Sequence, residues 1–167
     1  MKEEIRVALS TLEQAMSIEQ EGGRFYRKAA RTTQDKKGQE MFAMLADDEQ
    51  KHYDLIKRQH STLTSESKWS SSSGIKPVGM DLDKPLFPRG IEALEKTIAT
   101  RSSDWDALLF GLDIEIKSYD LYRKAASQIE HPLGKQMFEF LAGQEQSHFN
   151  VLMMRYDSLF GPISWRY

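Results

Sequence analysis

The chain repeats itself. Residues 16–30, MSIEQEGGRFYRKAA, and residues 112–126, LDIEIKSYDLYRKAA, are related by a shift of 96 and agree at 7 of 15 positions. The same shift carries residues 38–52, GQEMFAMLADDEQKH, onto residues 134–148, GKQMFEFLAGQEQSH, with 8 of 15 identical and no gap between the windows. Self-similarity of this kind means one supersecondary unit used twice. Each unit reads as a helical hairpin. Leu12, Met16, Glu19, Gly23, Tyr26 and Ala30 recur at steps of three and four, as do Phe42, Leu45, Glu49, His52 and Ile56. The second unit repeats this with Leu108, Leu112, Glu115, Tyr122 and Ala126, then Phe138, Leu141, Glu145, His148 and Leu152. Residues 31–37 form a short polar break in the first unit, and His131-Pro132 breaks the second, with Pro132 suited to a first helical turn. Ser103 and Asp104 offer N-caps for the third helix. A short loop makes the two helices of each unit antiparallel neighbours.

Between the units lie Ser-rich KWSSSSG and Pro77, Pro85 and Pro88, which read as loop, then Ile91, Leu94 and Ile98 at helical spacing. A bundle whose second and third helices run parallel needs one long crossover along its length. The expected fold is therefore all-α. It is a four-helix bundle in one domain: a first hairpin over 1–60, a crossover with one short extra helix over 61–102, a second hairpin over 103–157 and a tail over 158–167. The tail carries Phe160, Trp165 and Tyr167 and suits either a bundle end or a dimer surface.

Six ionisable residues sit inside these apolar stripes: Glu19, Glu49, His52, Glu115, Glu145 and His148. An unpartnered carboxylate in a core costs several kcal/mol. Helix geometry brings the six together. Glu19 and Glu49 are equidistant from Gln34, and Glu115 and Glu145 from Glu130, so each pair lies level across its hairpin. Glu49-x-x-His52 and Glu145-x-x-His148 put Glu and His on one face. Two divalent cations balance four carboxylates. A Glu from each of two helices and a Glu-x-x-His from each of the other two is the ligand set of di-iron and di-manganese bundles. Oxygen with some nitrogen and no sulfur suits iron or manganese, with zinc as a mis-loaded alternative. The alternative without metal is a decayed duplicate whose polar positions persist as buried hydrogen-bonding groups, against which stands the retention of all six in both halves.

Other residues divide between function and packing. Tyr26 and Tyr122 each follow a candidate ligand Glu by seven residues and are placed to donate hydrogen bonds to metal-bound carboxylates. Gly22 and Gly23 interrupt the first helix; close helix packing is preferred over space for a small oxidant. His60 and His131 fall at helix ends, where solvation or capping is favoured over ligation. Of the run Asp47-Asp48-Glu49, only Glu49 lies on the stripe.

The pattern resembles the rubrerythrin-like branch of the ferritin-like superfamily. The likeness rests on E(19)xxxxxxY, ExxH at Glu49 and His52, E(115)xxxxxxY, and ExxH at Glu145 and His148. It implies a ferritin-like bundle, two iron ions per chain, and reaction with hydrogen peroxide or O2, by peroxide reduction in oxidative stress or by ferrous oxidation. It also implies homodimers or larger assemblies. Rubrerythrins proper add a rubredoxin-like domain with four cysteines, whereas this chain has no cysteine, so electrons are expected from a separate donor protein. They also carry a further carboxylate ligand one turn after the third-helix Glu; here that position is Ser118, with Gly22 as its counterpart in the first half.

Three function classes follow: a di-iron oxidoreductase, a ferroxidase supporting iron handling, and a binding module with structural metals. The composition closes other directions. With no cysteine, thiolate metal sites and disulfides are excluded within these residues. A net charge of -2 carries no basic excess for nucleic acid or an anionic membrane. No run of about 20 apolar residues suits a membrane span, and the start has no apolar signal core, so the cytoplasm is the expected location.

Overall fold

A computed structural model describes residues 3–71, 75, 81, 83 and 103–161. The described residues form four helices and no strand: α1 (Glu3–Thr32), α2 (Lys36–Glu66), α3 (Ser103–Gln128) and α4 (Pro132–Phe160). They make an all-α, ferritin-like four-helix bundle. The expected short helix around Ile91, Leu94 and Ile98 lies outside the described residues, as do Trp165 and Tyr167. Among the described residues no helix is long and apolar enough to cross a membrane.

The turns are set by caps. Asp35 closes the first, accepting a hydrogen bond from the Gly38 backbone N–H at 2.7 Å, and Arg155 of α4 donates to the same carboxylate. His131 occupies the equivalent place in the second turn; its Nδ1 accepts from the Leu133 N–H at 3.3 Å, and Pro132 opens α4. His131 is thus a cap, and His60 pairs with Glu13 at 3.2 Å near the surface. α3 already includes Ser103, so Asp104 lies in its first turn, where its charge opposes the helix dipole, and not at the cap.

Two helices outrun their expected lengths. α2 continues six residues past 60, because Leu63 extends the buried stripe and Ser and Thr do not break a helix outright. It stops where Ser67 turns left-handed, at φ 55°, and donates its N–H to the Leu63 carbonyl. α4 runs past 157 to Phe160, whose ring packs on Trp105 at 5.0 Å and Tyr156 at 5.4 Å between centroids. The start of the tail therefore covers a bundle end. Just beyond α2, Gln59 pins Ser70 through both ends of its amide, and Trp69 lies so close to Gly134 that a Cβ there would meet its ring at 2.7 Å.

The core is split in two. One cluster packs Leu12, Ala15, Ile56, Tyr122, Phe138 and Leu141; the other packs Tyr26, Phe42, Leu45, Trp105, Leu112 and Leu152. All four helices contribute to both. Between the clusters lies a layer of carboxylates and imidazoles. In α1 the buried stripe runs through Ala15 and Ala29, and Met16 and Ala30 sit at its edge. α1 packs against α3 antiparallel, since Tyr26 reaches Glu115 and Tyr122 reaches Glu19. α2 and α3 consequently run parallel, as a long crossover requires.

Candidate metal centre

Each of the six residues marked by the repeat is buried. Glu49, Glu115 and Glu145 are 0 % exposed, Glu19 1 %, and His52 and His148 4 %. Their ligand atoms form two overlapping groups, each within 4.8 Å: Glu19, Glu49, His52 and Glu145 in one, Glu49, Glu115, Glu145 and His148 in the other. Glu49 and Glu145 belong to both.

The repeat makes this layer a pseudo-two-fold arrangement. His52 Nδ1 lies 3.4 Å from Glu19 and 3.2 Å from Glu145. His148 Nδ1 lies 3.5 Å from Glu115 and 3.2 Å from Glu49. The shift of 96 converts one set into the other. The two imidazoles stack at 5.4 Å between centroids.

The tyrosines cross between hairpins. Tyr122 donates to Glu19, and Tyr26 donates to Glu115, so each phenol anchors the carboxylate of the opposite repeat. Tyr26 is also 3.3 Å from the Gly111 carbonyl. Burial, and then the negative charges of the nearby glutamates, push both phenols well above their ordinary pKa, so they remain donors.

These bonds do not satisfy the layer. Eight buried atoms have no hydrogen-bond partner: Oε2 of Glu19, both carboxylate oxygens of Glu49 and of Glu145, Oε2 of Glu115, and Nδ1 of His52 and His148. Native interiors leave few such groups. Here they converge from four helices on one centre, a disposition suited to holding metal. Burial raises the Glu145 carboxyl well above its usual range, with Glu49, Glu19 and Glu115 adding to it. Burial and the charge of Glu19 lift Glu49 to about 8. Glu19 moves the other way: burial opposes ionisation there, but the neighbouring Glu49 carboxyl, the charge and contact of His52 and the Tyr122 phenol outweigh it. Burial disfavours the imidazolium forms, yet Glu19 above all draws His52 up to about 9, and Glu115 and Glu49 draw His148 up to about 11. With only protons to neutralise it, this layer of carboxylates gathers them, as it would gather metal ions.

Around the centre, three residues differ from their sequence reading or extend it. Asp48 is not simply solvated: its carboxylate lies 3.5 Å from His148 Nε2 and 2.6 Å from Lys51 Nζ. A carboxylate at the outer nitrogen orients an imidazole whose inner nitrogen faces a metal. Gly22 makes room for a carboxylate, since a Cβ there would stand 3.1 Å from Glu49 Oε2. Ser118, where rubrerythrins carry the further carboxylate, is fully buried and donates to the Ile114 carbonyl at 3.0 Å.

Fold and site together define a ferritin-like four-helix bundle with a buried carboxylate–histidine cluster able to hold metal. Comparison with known families gives the more particular result: residues 10–81 match the family described as Rubrerythrin. The match covers the first hairpin and the beginning of the crossover; the second hairpin is tied to it by the internal repeat. The likeness to rubrerythrins read from the motifs thus holds over that segment. Comparison with curated proteins and with solved structures finds no match.

Proposed function

We propose that the protein is a non-haem di-iron oxidoreductase that reduces hydrogen peroxide or reacts with O2. The observation that carries this reading is the set of eight unpartnered atoms converging in two groups that share Glu49 and Glu145. Glu49 and Glu145, which belong to both groups, would serve both irons, while Glu19 with His52 would hold one and Glu115 with His148 the other. Iron bound there would supply the electrons that peroxide or O2 takes up.

The remaining residues do positional and electrostatic work. Tyr26 and Tyr122 keep Glu115 and Glu19 turned inward, and Asp48 fixes the ring of His148. The two apolar clusters exclude water from both ends of the layer. That dry setting strengthens the hold of four carboxylates on divalent ions. A separate protein of suitable potential re-reduces the centre, since these residues contain no cysteine. The assembly is a homodimer or a larger homo-oligomer, and the setting is the cytoplasm.

The test is anaerobic reconstitution with ferrous iron followed by stopped-flow mixing with peroxide. About two irons per chain and rapid oxidation are expected. Two bound metals that peroxide leaves reduced would overturn the redox reading, and no bound metal would overturn the centre itself.

A further inference from the structure

One face of the bundle carries a cavity beside the centre, against the sealed carboxylates of Glu19 and Glu49. Between α1 and α2 lies a cavity of about 180 Å³ whose inner wall is Glu19 and Glu49 and whose sides include Gly23, Arg24, Arg27 and Tyr53. Gly23 is buried beneath Arg27: a Cβ at that position would meet the Arg27 guanidinium at 3.4 Å and Glu49 Cβ at 3.6 Å, so a larger side chain would have to displace one or the other. Arg24 and Arg27 are exposed, and neither makes an ion pair with a described residue; Arg24 only donates to the Gln20 carbonyl at 3.2 Å. Exposed side chains of this length change rotamer in picoseconds to nanoseconds, so the mouth is not a fixed barrier.

The repeat supplies its own control. The counterpart of Gly23 is Tyr119, which is 2 % exposed, and the counterpart of Arg24 is Asp120, which pairs with Arg123 at 2.5 Å. The first hairpin thus has a gap and two unneutralised cations where the second has a buried ring and a closed ion pair.

We infer that this cleft is the access route to the centre, and that it selects for small anions and peroxide-sized neutral molecules against cations. The inference rests on the proposed di-iron reading. Two guanidinium groups at the mouth raise the local concentration of anions and repel cations. The small volume of the cavity favours small molecules. Tyr119 fills the matching place on the second hairpin.

Azide is the probe: a small anion whose binding to the oxidised, iron-loaded protein is read by stopped-flow absorbance. Gly23→Leu should slow association and dissociation together, each by about tenfold or more, with Kd unchanged, because a blocked route alters rates and not the end states. Arg27→Gln, an exposed change that does not endanger the fold, should slow association about threefold to tenfold and remove most of its ionic-strength dependence. Arg123→Gln, the same charge change on the opposite hairpin, should leave association as it was. Unchanged azide rates in Gly23→Leu, or equal slowing by Arg27→Gln and Arg123→Gln, would overturn the route while leaving the di-iron centre intact. Absence of any azide absorbance from protein that holds no iron would instead remove the di-iron reading, and the route with it.

Discussion

The two hairpins carry the same three inward groups and surround them differently. Glu19, Glu49 and His52 match Glu115, Glu145 and His148 in burial and in spacing. Yet Gly23 stands opposite Tyr119, Gly22 opposite Ser118, Asp48 opposite Gln144, and the Asp35 cap opposite the His131 cap. The repeat keeps its symmetry among the inward carboxylates and imidazoles and loses it around them. The first hairpin is the open one, and the second is the filled one. Symmetry in the layer and asymmetry around it can be broken separately.

The largest effect tests the layer. Glu49 and Glu145 lie in both ligand groups, whereas Glu19 and Glu115 lie in one each. Glu49→Ala or Glu145→Ala should drop iron content from about two per chain to well under one, and Glu19→Ala or Glu115→Ala should leave about one. Elemental analysis of reconstituted protein reads this directly. Equal losses from all four would mean that no carboxylate is shared.

Next come the unlike positions of the shared plan. Tyr119 is buried, so Tyr119→Ala should destabilise the metal-free protein by about 3 kcal/mol in urea denaturation. Gly23→Ala at the matching position should stabilise it by about 0.5–1 kcal/mol, since the added Cβ finds ordinary contacts and glycine is a poor helix former. Opposite signs are the signature of one filled and one open face. A loss of stability from Gly23→Ala would show that the gap is a packing requirement.

The crossed phenols come third. Tyr26→Phe and Tyr122→Phe each strand a buried carboxylate oxygen, and each should cost about 1.5–3 kcal/mol in metal-free protein. The two losses should agree to within about 0.5 kcal/mol if the layer is symmetric in energy as well as in shape.

What could be read from the sequence divides along the same line. The repeat and its stripes carried the four helices, the level Glu pairs and all six inward residues, because helical periodicity is set locally and a repeat reports its own symmetry. The hydrogen bonds of the tyrosines were legible as a role but not as a pairing: that Tyr26 serves Glu115 depends on how α1 lies on α3. Asp48 looked like one more surface acid in an acidic run. Its place beside His148 arises only when α4 packs opposite α2. The cleft was hidden for a similar reason. Gly22 and Gly23 both read as packing glycines, and only the assembled hairpin separates the one that seats Glu49 from the one that leaves a gap. Ser and Thr in α2 and aromatic residues in α4 carry those helices past the breaks that composition marks, and a single αL residue such as Ser67 leaves no mark in composition.

The smallest effect concerns the two caps. Asp35 and His131 occupy equivalent places, but only Asp35 brings a carboxylate. The Gly38 N–H that it accepts, and then the Arg155 guanidinium, hold its pKa below the ordinary 3.8. A carboxyl depressed in the folded state adds stability that is fully present above its unfolded pKa and is lost as pH falls through the folded one. Asp35→Asn keeps a capping oxygen and discards the charge. Metal-free Asp35→Asn protein should therefore melt about 2–4 °C below the parent at pH 7. The gap should narrow below about pH 4 and close as the parent carboxyl protonates. A gap that persists unchanged at pH 3 would assign the cap to geometry alone. The first turn would then differ from the second in the identity of its acceptor and not in its electrostatics.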